Sequence, residues 1–155
     1  MLYHSLFESR ISYGISIWGG TYFTTIRPLA IIQKIFIRRI QQKTARTPSF
    51  QLFKELKILP VRYLFVFKVL RIYFIRCGNR QRGLPFHSTR QHTHLTHKVP
   101  RPYKEIFKRS FSFLAPRILN TLPSNIRNTD KIKYFCKKLK EWLLSIDNIE
   151  TVIIY

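Results

Sequence analysis

The sequence predicts an all-α chain of five or six helices with one long basic loop. Three observations carry this expectation. Apolar residues recur at three- and four-residue spacing in several windows, the period of one helical face. Prolines stand where helices start or stop, at Pro28, Pro48 and Pro60. One stretch breaks the pattern, with Gly78, Gly83, Pro85, Pro100 and Pro102. The chain therefore divides into a helical region at 1–76, a basic His-rich loop at 77–102 and a second helical region at 103–155.

In chain order, Leu2 to Ser12 reads as a helix ending near Tyr13-Gly14, and Gly19-Gly20 as a turn. Ile26 to Gln42 reads as the next helix. Pro28 lies near its start, and Leu29, Ile32, Ile35, Phe36 and Ile40 form its expected apolar stripe. Thr47-Pro48 is a helix start, a hydroxyl cap followed by proline at the first position. "SFQLFKELKIL" then places Phe50, Phe53, Leu56 and Leu59 at helical spacing. Pro60 ends that helix and opens Val61 to Arg76. The window Val61 to Ile75 is the most apolar, but it has only 15 residues and contains Arg62, Lys68 and Arg71. A membrane span needs roughly 20 mostly apolar residues, so a buried helix is expected.

The 77–102 stretch holds four of the five histidines, with Arg80, Arg82, Arg90, Lys98 and Arg101. It reads as a long exposed loop. Tyr103 to Asn120 reads as helical in part, broken at Pro116, and "LNTLPSNIRN" as a turn-rich connection. In the last helix Asp130 is the expected cap. Ile132, Phe135, Cys136, Leu139, Trp142, Leu143 and Ile146 make one stripe, and Lys131, Lys133, Lys137, Lys138 and Lys140 cover the rest. The tail "IETVIIY" is β-prone and unassigned.

Charge dominates the composition. Lys and Arg number 28 against 7 Asp and Glu, a formal net charge of +21. Such a chain attracts polyanions, meaning nucleic acid or an anionic membrane; alternatively its balancing acids belong to another segment. Two distant cysteines, Cys77 and Cys136, make no disulfide framework and suit a reducing compartment. The first ten residues lack the basic start and apolar stretch of a secretory signal. An intracellular protein, nuclear or cytoplasmic and not secreted, is expected.

The acids also limit the chemistry. Enzymes that make or cut nucleic acid usually hold two metal ions on carboxylates. Asp130 and Asp147 are the only aspartates, and no two acids are placed as a metal-binding pair. There is no phosphate loop and no Gly-x-Ser-x-Gly elbow. His87, His92, His94 and His97 lack the paired cysteines and regular spacing of a zinc site and read as solvated. No catalytic residue, metal, cofactor or small-molecule substrate is expected.

The basic residues are the positive signal. Lys34, Arg38, Arg39, Arg80, Arg82, Arg90, Lys98, Arg101, Lys104, Lys108, Arg109, Lys137 and Lys138 form separated clusters suited to phosphate contacts, which give affinity without sequence information. Tyr103 and Phe107 stand among them, where a ring can stack on a base. The last helix also fits a cationic helix lying on a membrane surface, although packing on its own domain is the simpler reading.

Four blocks carry a resemblance. "YHSLFESRISYGISIWGG" matches a Tyr-x-x-Leu-x-x-Ser-x-Ile/Leu-x-Tyr-Gly-Ile-x-x-Trp-Gly pattern through Tyr3, Leu6, Ser9, Ile11, Tyr13, Gly14, Ile15, Trp18 and Gly19. "LAIIQKIFIRRI" supplies Gln33, Lys34, Arg38 or Arg39, and Ile40. "SFQLFKELKILPVRYL" supplies Leu52, Phe53, Leu56, Ile58, Leu59 and Pro60. "SFSFLAPRILNTLPSNIRN" supplies Pro116, Asn120, Leu122, Pro123, Ile126 and Arg127, followed by Phe135, Leu139 and Lys140. In this order the blocks resemble the region after the polymerase core of non-LTR, LINE- or jockey-like retrotransposon reverse transcriptases. Ile118-Leu119 departs from the pattern, where the family often has an aromatic. The family's Tyr/Phe-x-Asp-Asp metal motif is absent from this sequence. The resemblance implies a thumb-like and C-terminal region of an RNA-directed DNA polymerase, lacking its catalytic core. It implies no activity alone, and partners limited to RNA or DNA backbone and the missing core. The alternatives are a membrane-surface protein and a decayed element without function.

Overall fold

The computed structural model describes residues 3–77, 97 and 99–146. It is all-α: among these residues there is no strand. A π-helical turn, His4–Glu8, leads into α1 (Ser9–Ser12). Then come α2 (Ile15–Trp18), α3 (Phe23–Ile40), α4 (Ser49–Glu55) and α5 (Val61–Cys77). A 3-10 turn, Glu105–Arg109, precedes α6 (Phe111–Thr121), α7 (Ser124–Arg127) and α8 (Ile132–Ser145). The short helix α7 occupies a stretch expected as a turn-rich connection, and α2 lies between the expected first helix and the expected Gly19-Gly20 turn.

Helix α5 is the axis of the molecule. Val61, Tyr63, Leu64, Phe65, Val66, Val69, Leu70 and Tyr73 are all buried, more than one face can hold. Its neighbours are α1, α2, α3, α6 and α8. The expectation of a buried helix is met, and no helix among the described residues is long and apolar enough to cross a membrane.

Helix α8 lays Phe135, Leu139 and Leu143 into this core. The Phe135 ring stacks on Phe74 with centroids 4.4 Å apart. Burying each such side chain contributes about 2 kcal/mol. The Tyr63 hydroxyl donates to the Ile146 carbonyl at 3.1 Å and fixes the end of the helix. The first and last helical regions thus share one core.

The paired glycines have a packing reason. A Cβ on Gly19 would lie 2.4 Å from the Ile15 carbonyl oxygen and 2.5 Å from a ring carbon of Phe65. On Gly20 it would lie 2.9 Å from the Arg109 carbonyl oxygen. Only glycine lets the chain pass between α5 and the 3-10 turn.

Several expectations are corrected. In α3 the buried residues are Ile26, Gln33 and Ile37, while Ile32 and Ile35 are 54% and 49% exposed. The expected stripe lies largely on the wrong face. Pro28 falls a full turn inside α3 rather than near its start. Pro116 does not break α6. An interior proline costs about 3 kcal/mol, yet Phe113, Leu114, Ala115, Ile118 and Leu119 are buried along one continuous helix and offset it. Thr47 does not cap α4; Pro48 holds that position in extended geometry. Lys131, not Asp130, precedes α8, and no side chain caps it. The tail at 149–155 lies outside the described residues.

Candidate nucleic-acid interface

The 3-10 turn at Glu105–Arg109 brings together the densest of the predicted basic residues. Phe107 is half-buried and meets Phe113 edge-on at 6.2 Å, which seats the turn on α6. Tyr103, just before the turn, is 78% exposed, its ring 5.3 Å from that of Phe107. Arg101 and Lys104 are exposed. Lys108 is paired with the Glu105 carboxylate. At the other end, the Arg109 guanidinium lies 3.4 Å over the Tyr22 ring, and Tyr22 is 62% exposed. This cation–π contact ties the turn to the start of α3.

The other predicted cations stand elsewhere. Lys34 and Arg39 are exposed on α3, while the Arg38 Nε donates to the Thr47 carbonyl at 3.0 Å and holds the α3–α4 connection. The helix rises about 25 Å from Tyr22 to Arg39, so these two clusters are well separated. Lys137 is exposed on α8, and the Lys138 ammonium donates to the Asn125 carbonyl at 3.0 Å, tying α8 to α7. Arg80, Arg82, Arg90 and Lys98 lie outside the described residues, as do His87, His92 and His94.

Sequence reading missed two basic residues near the turn. The guanidinium of Arg117 lies 5.7 Å over the Phe113 ring, and that of Arg76 5.6 Å over Phe111. Both are lone arginines in apolar helical runs, where charge clustering gives no signal.

Residues of the four sequence blocks mostly support the fold. Gln33, 1% exposed, donates from Nε2 to the Tyr3 hydroxyl at 2.6 Å and to the Leu59 carbonyl at 2.9 Å. Its Oε1 accepts from the Val61 N–H at 2.9 Å. One side chain thus satisfies the groups flanking Pro60 and the first N–H of α5. Burial raises the Tyr3 pKa to about 12; the Gln33 hydrogen bond opposes that shift and the Glu8 charge adds to it. In the fourth block, the Asn120 side chain accepts from the His97 N–H at 3.1 Å and donates to the His97 carbonyl at 2.8 Å. Burial, then the Arg127 charge, lowers the His97 pKa. Burial raises the Cys136 thiol, against a smaller opposing effect of Arg71, so it does not behave as an activated thiolate.

Among the described residues no cluster of three or more His, Cys, Asp and Glu is placed to hold a metal ion. Comparisons with protein families, curated proteins and solved structures find no match.

Proposed function

We propose that the chain is a non-catalytic C-terminal part of a non-LTR retrotransposon RNA-directed DNA polymerase, and that its own activity is nonspecific binding of RNA or DNA backbone. One observation carries the binding activity. The chain has 28 Lys and Arg against 7 acids, and among the described residues none of those cations is buried. Cations left at the surface of a packed helical body are available to phosphates.

The resemblance of the four blocks supports the parent identity. Tyr3, Gln33, Leu59 and Pro60 come from three separate blocks and meet around one buried side chain, which gives their co-occurrence a physical reason. The test of parentage is to translate the genomic DNA upstream of the Met1 codon in all frames. A Tyr/Phe-x-Asp-Asp motif there, intact or interrupted, is the expected result. Unrelated coding sequence behind its own promoter would refute the parentage and leave the binding activity to be judged on its own.

A further inference from the structure

We infer that the surface formed by Tyr22, Tyr103, Lys104, Lys108 and Arg109 prefers single-stranded nucleic acid to duplex, with the Tyr103 ring as the base-stacking platform. The inference rests on the nucleic-acid reading above and narrows it to a substrate class.

The argument starts from the rings. Of the two aromatics that the sequence places among these cations, Phe107 is turned into the core and holds the turn in place. Tyr103 is left with 78% of its surface exposed. The Tyr103 ring is tilted 33° to that of Phe107, and most of its surface is left open to solvent. At the far end of the five-residue 3-10 turn, which is about 10 Å long, the Arg109 guanidinium covers Tyr22. A guanidinium seated this close over a ring can offer its other side to a second stacking partner.

Duplexes hide their base faces; single strands expose them. A surface that offers stacking planes at Tyr103 and Arg109, on either side of Lys104 and Lys108 in the chain, gains contacts only with the unpaired strand. Phosphate contacts alone would not distinguish the two forms so clearly. The turn is also backed by a rigid contact, since the Arg109 carbonyl abuts Gly20. The Arg109 end of the surface is therefore positioned before the strand arrives.

The experiment compares two labelled probes on the full chain by fluorescence anisotropy: an oligouridylate of about 16 nucleotides and an RNA duplex of the same length. Wild type is expected to bind the single strand more tightly. Tyr103→Ala is expected to weaken single-strand binding roughly ten- to hundredfold and leave duplex binding unchanged. Tyr103→Phe, which keeps the ring, retains wild-type affinity. Circular dichroism confirms that the variants fold, as the exposure of Tyr103 leads one to expect. Equal binding of both probes, or no effect of Tyr103→Ala, overturns the single-strand inference while the backbone-binding reading stands. No binding of either probe overturns both.

Discussion

Gln33 donates a 2.6 Å hydrogen bond to the Tyr3 hydroxyl from the inside of α3, thirty residues along the chain. The same amide holds Leu59 and Val61 on either side of Pro60. Gln33→Ala therefore strands the Val61 N–H, the Leu59 carbonyl and the Tyr3 hydroxyl in a buried site. Each unsatisfied group costs about 1–3 kcal/mol. The variant should lose at least about 3 kcal/mol of stability in urea unfolding, and Gln33→Glu, whose carboxylate has no N–H to offer the Leu59 carbonyl, should also be destabilised.

Tyr3 should titrate apart from exposed tyrosines. Its folded-state pKa of about 12 stands above the ordinary 10.0. A raised folded pKa means stability is fully present below pH 10 and lost as pH rises through about 12. Ultraviolet difference titration should show one late phenolate in the folded protein, and Tyr3→Phe should abolish that late step.

Gly19→Ala should destabilise the protein more than Gly14→Ala. The added methyl of the first meets backbone and the Phe65 ring at 2.4 and 2.5 Å. That of the second meets only the Trp18 side chain, at 3.1 Å. Overpacking of the first kind typically costs about 1–3 kcal/mol, readable as a difference in unfolding midpoint.

Asn120 and His97 form a two-bond clasp joining α6 to the segment before it. Asn120→Ala should speed amide exchange at His97 and cost about 1–3 kcal/mol. His97 also adds a pH dependence. Its folded pKa is depressed, so the unfolded chain binds the proton first. Stability should be full above about pH 6.5 and fall as the pH drops through the lower folded value. His97→Gln should remove that part of the acid sensitivity.

The sequence was most readable where a long stripe and a proline coincide. Val61 to Cys77, opened by Pro60, is such an element; Ile132 to Ser145 has the stripe without the proline, and the bounds of both fall within a residue or two of expectation. It misled in α3, because isoleucines stand on nearly every side of that helix. The buried face is chosen by Gln33, whose three hydrogen bonds a periodicity of apolar residues does not reveal. Pro116 misled for a related reason, since local propensity yields to packing on both its sides. At the candidate interface, the run from Tyr103 to Arg109 is contiguous and was visible. The stacking of Arg109 on Tyr22 joins residues far apart in sequence, and no local pattern announces it.

The central claim is that surface cations bind nucleic-acid backbone. The most direct test is the affinity of the full chain for a single-stranded RNA at a series of salt concentrations. About five phosphate contacts predict a log–log slope near −3.5, at roughly −0.7 per phosphate. Affinity that falls steeply and linearly on that plot is the predicted result. Affinity that stays flat as salt rises, or no binding at low salt, would contradict the account.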